Sequence, residues 1–314
     1  MKIAALQSYR QQARQTGLGR VLAGLLRRRT GVNLTVAARF ARAIKIAVSP
    51  VDYLRRRLLA MNRKSQFDVT QLDREGFLFV GRGIPNTDAL VRHCAALFDR
   101  KKAGLMENYR APYALGIKFE NSDAGTICAD PQELQPIVDY CQQDEVLNLV
   151  AQYIGEFPVI GDVSLMYTLP NNEMLGSQQF HRDVNQVRQL HMIVPIHDID
   201  EDTGPFTFIT KSKSSEIIDA IKHVNERVED SVIERFVRPD DFKRCTGKAG
   251  EVYFLNAHDC FHYGARCRSK PRLMLIVNFT SRFEGLEGTM ALYRCANRAN
   301  VPANGASAPL LLNL

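Results

Sequence analysis

The second half of the chain consists of short apolar runs separated by turn-forming residues, and this pattern restricts the fold more than any other feature. Many short strands at such spacing are typical of an antiparallel sandwich or barrel, whereas a wound parallel sheet would alternate its strands with long helices. One helical stretch, 214–228, interrupts the series. The strands are predicted over 163–169, 190–196, 205–210, 251–255 and 272–280.

The part of the chain before this series is predicted to contain more helix. A folded body begins near Lys64, and a strand over 77–80 follows the turn 74–76. The segment 88–101 has helical periodicity, and 131–154 is mostly helical with breaks. The body therefore combines a β core with helices that flank it.

Composition excludes several classes of protein. Hydrophobic residues make up 45% of the 314 residues and charged residues 24%, which excludes a disordered chain, a coiled coil and a collagen-like fibre. No stretch approaches the roughly 18 uninterrupted apolar residues that a transmembrane helix needs. The 7 cysteines are scattered without a C-x-x-C pair, which argues against a disulfide scaffold or zinc finger and favours a reducing, cytoplasmic location.

Positive charge is concentrated in residues 1–60. This segment holds thirteen basic residues and one acid, Asp52, so its net charge is +12, whereas the remaining residues carry −5. Within it, 34–48 is predicted to be an amphipathic helix, since apolar residues recur every four positions and basic residues fall on the other side. The apolar positions are Val36, Phe40 and Ile44, and the basic ones are Arg39, Arg42 and Lys45.

Four interpretations of this basic extension stay open. Its helices could pack their apolar stripe on the body and leave their charges in solvent, or they could attach the protein to an anionic membrane surface. The segment could also be an organelle transit peptide, or it could bind nucleic acid. Nucleic acid is the least favoured partner because basic and aromatic residues do not alternate. Peripheral contact through residues 1–60 would place the protein at the inner membrane face.

The first candidate for a chemical site is the segment 179–183, which reads QFHRD. Residues two apart in an extended segment point to the same side, so His181 and Asp183 can bring an imidazole and a carboxylate to one point. His262 lies far downstream, after the strand 251–255. Two histidines and one carboxylate on one face of an octahedral ion leave three positions free, which suits non-haem Fe(II) with a bidentate co-substrate and dioxygen.

Arg272 supplies what such a co-substrate needs. It lies ten positions after His262, at the head of the apolar strand 272–280, where an arginine is expected to be buried only with an anionic partner. 2-Oxoglutarate chelates iron through its keto acid end, and its distal carboxylate suits a guanidinium fork. The order H-x-D, distal His and Arg therefore predicts sites for Fe(II) and 2-oxoglutarate.

On these residues the chain resembles the phytanoyl-CoA dioxygenase-like (PhyH) family of Fe(II)- and 2-oxoglutarate-dependent oxygenases. The resemblance implies a mainly β fold with α, whose core is a double-stranded β-helix (a cupin-like jelly roll) with flanking helices. It also implies His181, Asp183 and His262 as the iron ligands and catalytic centre, with Arg272 holding 2-oxoglutarate. The resemblance runs from about 72 to about 283 and rests on the segments 179–183, 198–206, 250–251, 260–264 and 271–272.

The sequence also predicts a domain plan, and the resemblance implies a reaction. An oxygenase domain would cover 64–290, between the basic helical extension 1–63 and a C-terminal tail, 291–314. The enzyme would consume dioxygen and hydroxylate an unactivated C–H bond of a small-molecule, saccharide or lipid-linked substrate. Where the family commonly has Gly-Ser-His, this chain has Lys-Ser-Lys at 211–213, which puts substrate contacts in doubt but not the metal.

Other residues near these motifs are further candidates. Gln179 falls on the same side as the H-x-D pair and is expected to support the metal site. Tyr167 and Thr168, on the preceding strand, could reach the co-substrate carboxylates, although packing alone would also explain them. His258 is the rival for the distal ligand, and His191 could line the pocket. Two alternatives remain for the whole protein: a jelly-roll metal protein with non-oxidative chemistry, and a non-catalytic binding module.

Overall fold

The structure is a computed structural model that describes residues 34–114, 125–126, 131–170, 174, 176–184, 186–223, 227–284 and 311. The predicted basic stretch 20–29 and the domain boundary at 290 lie outside the described residues, as does the tail 291–314 apart from residue 311. Among the described residues, no helix is both long enough and apolar enough to cross a bilayer.

Helices dominate the first half of the chain and strands the second. The helices are α1 (Leu34–Val48), α2 (Pro50–Met61), α3 (Thr70–Glu75), α4 (Thr87–Ala114), α5 (Pro131–Cys141), α6 (Asp144–Ile154), α7 (Lys211–Ile221) and α8 (Asp230–Ile233). The strands are β1 (Phe77–Gly81), β2 (Gly125–Thr126), β3 (Val159–Thr168), β4 (Gln189–Pro195), β5 (Thr207–Ile209), β6 (Phe242–Arg244), β7 (Val252–Leu255), β8 (His262–Tyr263) and β9 (Arg272–Thr280).

These strands form two antiparallel sheets. The large sheet has the order β1-β7-β4-β9-β3-β2, and the small sheet has the order β6-β5-β8. A buried cluster joins them: Ile193, Leu255 and Met274 come from the large sheet, and Phe206 and Phe208 come from the small sheet and its approach. The two layers packed face to face confirm the predicted double-stranded β-helix with flanking helices.

Side chains of β9 point alternately to the core under the helices and to the space between the two sheets. Leu273, Leu275 and Val277 pack into the large core between the sheet and the helices, whereas Met274 belongs to the cluster between the sheets. Successive side chains on a strand point to opposite faces, so Arg272 shares the interior face with Met274. A strand that is apolar on both faces thus carries one guanidinium into the space between the sheets.

The acidic turn before β5 is held by its own side chains. Asp200 Oδ1 accepts hydrogen bonds from the backbone N–H groups of Asp202 and Thr203, each at 3.0 Å, and Thr203 Oγ1 accepts from the N–H of Asp200 at 2.8 Å. Gly204 follows with φ of +70°, and a Cβ there would lie 2.5 Å from the backbone nitrogen of Cys267. Only glycine fits this close approach, which brings the Gly204 carbonyl to the interior of the protein.

The side of α1 that faces the body is the opposite of the side that the packing interpretation predicts. Arg42 and Lys45 of α1 face the body, where Arg42 forms ion pairs with the buried carboxylates of Glu156 and Glu284, whereas Arg39 is exposed. The apolar side faces solvent, and Phe40 is 68% exposed. The expectation that the apolar stripe packs on the body with its charges in solvent is therefore wrong, because the body offers α1 carboxylates there.

The predicted elements agree with the structure where patterns are long and differ where they are short. The helix predicted over 214–228 begins earlier, at Lys211, and ends at Ile221. The three-residue β6 and the six-residue α3 were not predicted. In β6 two of the three residues are basic, and sequence propensity alone does not favour a strand there.

Candidate metal centre

His181, Asp183 and His262 converge at one point. Their ligand atoms all lie within 4.8 Å of one another, although they come from segments about 80 residues apart in the chain. Backbone pairing brings them together: His181 and His262 exchange N–H···O hydrogen bonds of 3.0 Å in both directions, and the N–H of Asp183 donates to the Ala257 carbonyl at 3.0 Å. His181 thus pairs with β8 at the edge of the small sheet, and this pairing places the two imidazoles side by side.

Both imidazoles are oriented by backbone carbonyls. His181 Nδ1 lies 2.8 Å from the carbonyl oxygen of Gln179, and His262 Nδ1 lies 3.0 Å from that of Cys260. A neutral histidine that donates from Nδ1 keeps the lone pair of Nε2 for a metal ion. His181 Nε2 lies 3.9 Å from Asp183 Oδ1. The geometry therefore offers two nitrogen donors and one oxygen donor to a shared ion.

The electrostatics of the centre keep its donors in the forms that bind metals. Burial, followed by the neighbouring His181, lowers the pKa of His262 to about 3, so its imidazole is neutral near pH 7. For Asp183, burial raises the pKa, but the attraction of His262, His191 and His181 outweighs it and the net pKa is lowered. A neutral imidazole beside a carboxylate is the protonation state that a divalent cation requires.

His191 adds a third imidazole that sequence reasoning left undecided. It lies on β4, and its Nε2 is 3.6 Å from Asp183 Oδ2. His181 approaches the other carboxylate oxygen, Oδ1. Burial is the largest cause that lowers the pKa of His191. The carboxylate of Asp183 is thus bracketed by His181 on one oxygen and by His191 on the other.

A row of polar side chains continues from His191 across the interior face. Cross-strand register places Asn278 of β9 opposite both His191 and Asp162. Ser164 Oγ donates to Asp162 Oδ2 at 2.7 Å, and within the described part of the chain the buried Asn278 Oδ1 has no hydrogen-bond partner. The sequence prediction did not include this row, although Asp162, Ser164 and Thr168 lie on one side of the strand 159–168 and were a signal for it.

Arg272 and Thr168 lie at the opposite end of the same face. They are register partners on β9 and β3, and both are buried. Arg272 donates from one terminal nitrogen to the Gly204 carbonyl at 3.1 Å. Thr168 Oγ1 is buried and has no hydrogen-bond partner among the described residues. A guanidinium beside a buried hydroxyl is a setting that a carboxylate ligand would complete.

The metal centre lies between these two polar ends. Arg272 and Asn278 lie six positions apart on β9, about 20 Å at the usual rise of a strand. His191 joins the Asn278 end to Asp183, whereas a Cβ on Gly264, two residues after His262, would lie 3.7 Å from a terminal nitrogen of Arg272. The interior face therefore carries one polar group toward each end, with the metal centre between them.

The remaining predicted residues take other positions. The Gln179 side chain donates to Glu229 at the surface at 3.3 Å, and only its backbone carbonyl supports His181. The expectation that Tyr167 reaches the co-substrate is wrong, because its ring faces the helices and packs on Phe98 with ring centroids 4.6 Å apart. His258 lies outside the triad, with Nδ1 3.2 Å from the backbone oxygen of Asp183.

Comparisons with known proteins find similarity at the level of solved structures. No protein-family model matches the chain and no curated protein matches it, so membership of the phytanoyl-CoA dioxygenase-like family stays a prediction. EctD from S. alaskensis, solved with 2-oxoglutarate and 5-hydroxyectoine, is 16% identical, with a TM-score of 0.48 over 70% of this chain and 77% of that chain.

Two further structures are similar to a comparable extent. The non-heme alpha ketoglutarate dependent carbocyclase SnoK from nogalamycin biosynthesis is 12% identical, with a TM-score of 0.45 over 71% of this chain and 85% of that chain. HygX from Streptomyces hygroscopicus, solved with nickel and 2-oxoglutarate, is 13% identical, with a TM-score of 0.43 over 70% of this chain and 88% of that chain. These identities are low, and the function of this chain is inferred below from the residues of its own site.

Proposed function

We propose that the chain is an Fe(II)- and 2-oxoglutarate-dependent dioxygenase that hydroxylates an unactivated C–H bond. The observation that carries this proposal is the convergence of His181, Asp183 and His262 on the interior face that also holds Arg272 and Thr168. The triad alone would suit several divalent metals. The buried guanidinium and hydroxyl on the same face favour a metal centre that works with a dicarboxylate.

His181, Asp183 and His262 would hold the metal, and they fit Fe(II) because imidazole and carboxylate donors on one side leave positions open. Bound Fe(II), with 2-oxoglutarate and dioxygen, would supply oxidative chemistry in which 2-oxoglutarate is converted to succinate and carbon dioxide. The chain's own task is to position the reactants. Arg272 would pair with the distal carboxylate, and Thr168 would donate its unused hydroxyl to the same group.

Apolar residues would keep water from the centre. Phe206 stacks on the ring of His262, with centroids 5.3 Å apart and an angle of 19° between the rings. Phe208, the register partner of His262, is buried in the cluster between the sheets. These rings cover the centre on the side of the small sheet, so a bound substrate would meet the metal in a water-poor environment.

The substrate that we propose is a small molecule, a saccharide or a lipid-linked compound, with dioxygen as the other reactant. The polar row of Asp162, Asn278 and His191 favours a substrate with hydroxyl or amino groups, because its carboxylate and amide oxygens accept hydrogen bonds. Such a molecule would contact the polar row at the Asn278 end of the interior face. We propose a cytoplasmic location at the inner membrane face, which would suit a lipid-linked substrate.

Two measurements test the proposal. Anaerobic addition of Fe(II) and then 2-oxoglutarate should produce a weak visible charge-transfer band, and its absence would favour non-oxidative metal chemistry. Succinate release in air without a substrate should be abolished in His181→Ala and in Asp183→Ala. His93→Ala, on α4, is the matched control and should retain the release. Release that is equal in all variants would contradict the proposal, and no release from the unchanged chain would favour a binding module.

A further inference from the structure

Helices α1 and α2 turn large apolar side chains toward solvent. On α1, Phe40 is 68% exposed and Val48 is 75% exposed. On α2 the exposed apolar residues recur at intervals of three and four, which places them on one side of the helix. Monomeric proteins rarely expose this much aliphatic and aromatic surface in one region without a use for it. The docking face consists of Phe40, Ile44, Val48, Val51, Leu54, Leu58 and Met61.

Buried polar contacts fix this orientation. Arg42 of α1 pairs with Glu156 and Glu284, both of which are buried, and Lys45 Nζ donates to the Glu284 carbonyl at 2.9 Å. On α2, the buried Arg56 donates to the Phe157 carbonyl at 3.1 Å. Rolling either helix to hide its apolar side would break these contacts. The docking face therefore points away from the body because the opposite side of each helix is occupied.

Positive charge surrounds the docking face. Arg39, Arg55 and Arg57 are exposed on the same two helices. The one acid in residues 1–60, Asp52, already pairs with Arg282 at 2.9 Å. A surface that combines large apolar side chains with exposed arginines matches the boundary of an anionic bilayer, where acyl chains lie next to phosphate groups.

We propose that the docking face binds the surface of an anionic phospholipid bilayer. The apolar side chains of α1 and α2 enter the boundary between head groups and acyl chains, and Arg39, Arg55 and Arg57 contact lipid phosphates. A second copy of the chain is a poorer occupant, because a symmetric contact through this face would bring the arginines of both copies together. The inference rests on the described helices and does not depend on the proposed reaction.

A fluorescence experiment on the full chain tests the contact directly. The sequence contains no tryptophan, so Phe40→Trp introduces a single reporter on the docking face. With vesicles of phosphatidylcholine and phosphatidylglycerol, its emission should shift to the blue and brominated acyl chains should quench it. Vesicles of phosphatidylcholine alone should have little effect. The matched control is Phe79→Trp on β1, since Phe79 is 49% exposed on the body, and it should show neither change.

Vesicle co-sedimentation measures the strength of the contact. The double variant Phe40→Ser/Ile44→Ser should bind anionic vesicles at least about tenfold more weakly, and Arg39→Gln/Arg55→Gln should reduce the salt dependence of binding. Phe79→Ser should bind like the unchanged chain. Circular dichroism identifies any variant that fails to fold, in which case the tryptophan pair decides the question.

Three results would overturn the proposal. They are equal binding to neutral and anionic vesicles, equal quenching in the two tryptophan variants, and a dimer in gel filtration that Phe40→Ser/Ile44→Ser dissociates without any binding to vesicles. Loss of succinate release with intact vesicle binding would refute only the proposed reaction. Loss of vesicle binding with intact succinate release would refute only the membrane contact.

Discussion

Thr168 and Arg272 are cross-strand partners on β3 and β9, and they place a buried hydroxyl beside a buried guanidinium. Arg272 also donates to the carbonyl of Gly204 at 3.1 Å, so the turn before β5 helps to orient it. The arrangement joins three distant parts of the chain at one end of the interior face. It is this end that we propose as the site of the distal carboxylate of 2-oxoglutarate.

Arg272→Gln is expected to weaken 2-oxoglutarate binding about 100-fold, because hydrogen bonds between charged groups are worth roughly 1.5–3 kcal/mol each. Thr168→Val should weaken it about tenfold through the loss of one donor. Calorimetric titration in the presence of Mn(II) measures both affinities. Thr207→Val, which removes a buried hydroxyl of the small sheet, is the control and should leave the affinity unchanged. Equal affinities in all variants would exclude this end as the carboxylate site.

Asp183→Asn is expected to lower the affinity for Mn(II) or Fe(II) at least about 100-fold, since an amide cannot supply the negative charge of a ligand carboxylate. His258→Gln is the matched test of the rival ligand. Because the His258 ring reaches Asp183 through its backbone oxygen and not through the carboxylate, its replacement should change the metal affinity by less than about threefold. Metal titration followed by paramagnetic resonance of free Mn(II) measures both. A larger loss in His258→Gln than in Asp183→Asn would reverse the assignment.

The metal motif could be predicted from the sequence because its key part is local. His181 and Asp183 are two residues apart, and an extended backbone is enough to bring them together. The contribution of His191 could not be predicted, because its contact with Asp183 depends on the packing of β4 against a loop. For Tyr167 the sequence was not sufficient. Neighbouring residues on a strand point to opposite faces, so a one-residue difference decides whether a side chain lies on the interior face or against the helices.

His191→Phe is expected to reduce the metal affinity roughly 10- to 100-fold, because the imidazole orients Asp183 without binding the metal itself. His191→Gln retains a hydrogen-bonding group and should recover part of the affinity. A merely structural role would instead lower the melting temperature of both variants equally and leave the affinity intact. Metal titration and thermal unfolding on the same samples separate the two outcomes.

The metal-free protein is expected to lose stability as the pH falls from about 6.5 toward about 3. In the folded chain burial lowers the pKa of His262 to about 3, whereas an unfolded histidine has a pKa of about 6.5. Between these values the unfolded chain binds more protons, so the free energy of unfolding decreases with falling pH, by up to about 1.4 kcal/mol per pH unit for one proton. The lowered pKa of Asp183 acts in the same direction at the acid end.

Urea unfolding between pH 7 and pH 5, with a chelator present, measures this slope. His262→Gln removes one titrating group and should reduce the slope in this range, while His191 and His258, whose pKa values burial also lowers, leave a residual slope. His93→Gln is the control with the same change of residue type, and it should retain the slope of the unchanged chain. A slope that is unaffected by His262→Gln would show that other groups govern the acid transition.

The docking of α1 shows why periodicity predicts a helix but not always its buried side. Residues repeating every four positions predicted the helix correctly, yet the side that contacts the body carries Arg42 and Lys45. The deciding partners, Glu156 and Glu284, lie far along the chain, and nothing near α1 in the sequence indicates them. Buried carboxylates on the body thus override the usual rule that the apolar side of a helix faces the core.

Arg42→Ala is expected to destabilise the fold by about 3 kcal/mol, because it leaves two buried carboxylates without their cation. The matched control is Arg39→Ala on the same helix, where the side chain is exposed and the change should cost less than about 0.5 kcal/mol. Thermal and urea unfolding measure both values. Adding Glu284→Gln to Arg42→Ala should restore part of the loss, because a neutral amide is less costly to bury than a carboxylate. If Arg42→Ala and Arg39→Ala are equally mild, α1 is held mainly by its buried Leu34 and Ala38, and the ion pairs do not fix which side of the helix faces solvent.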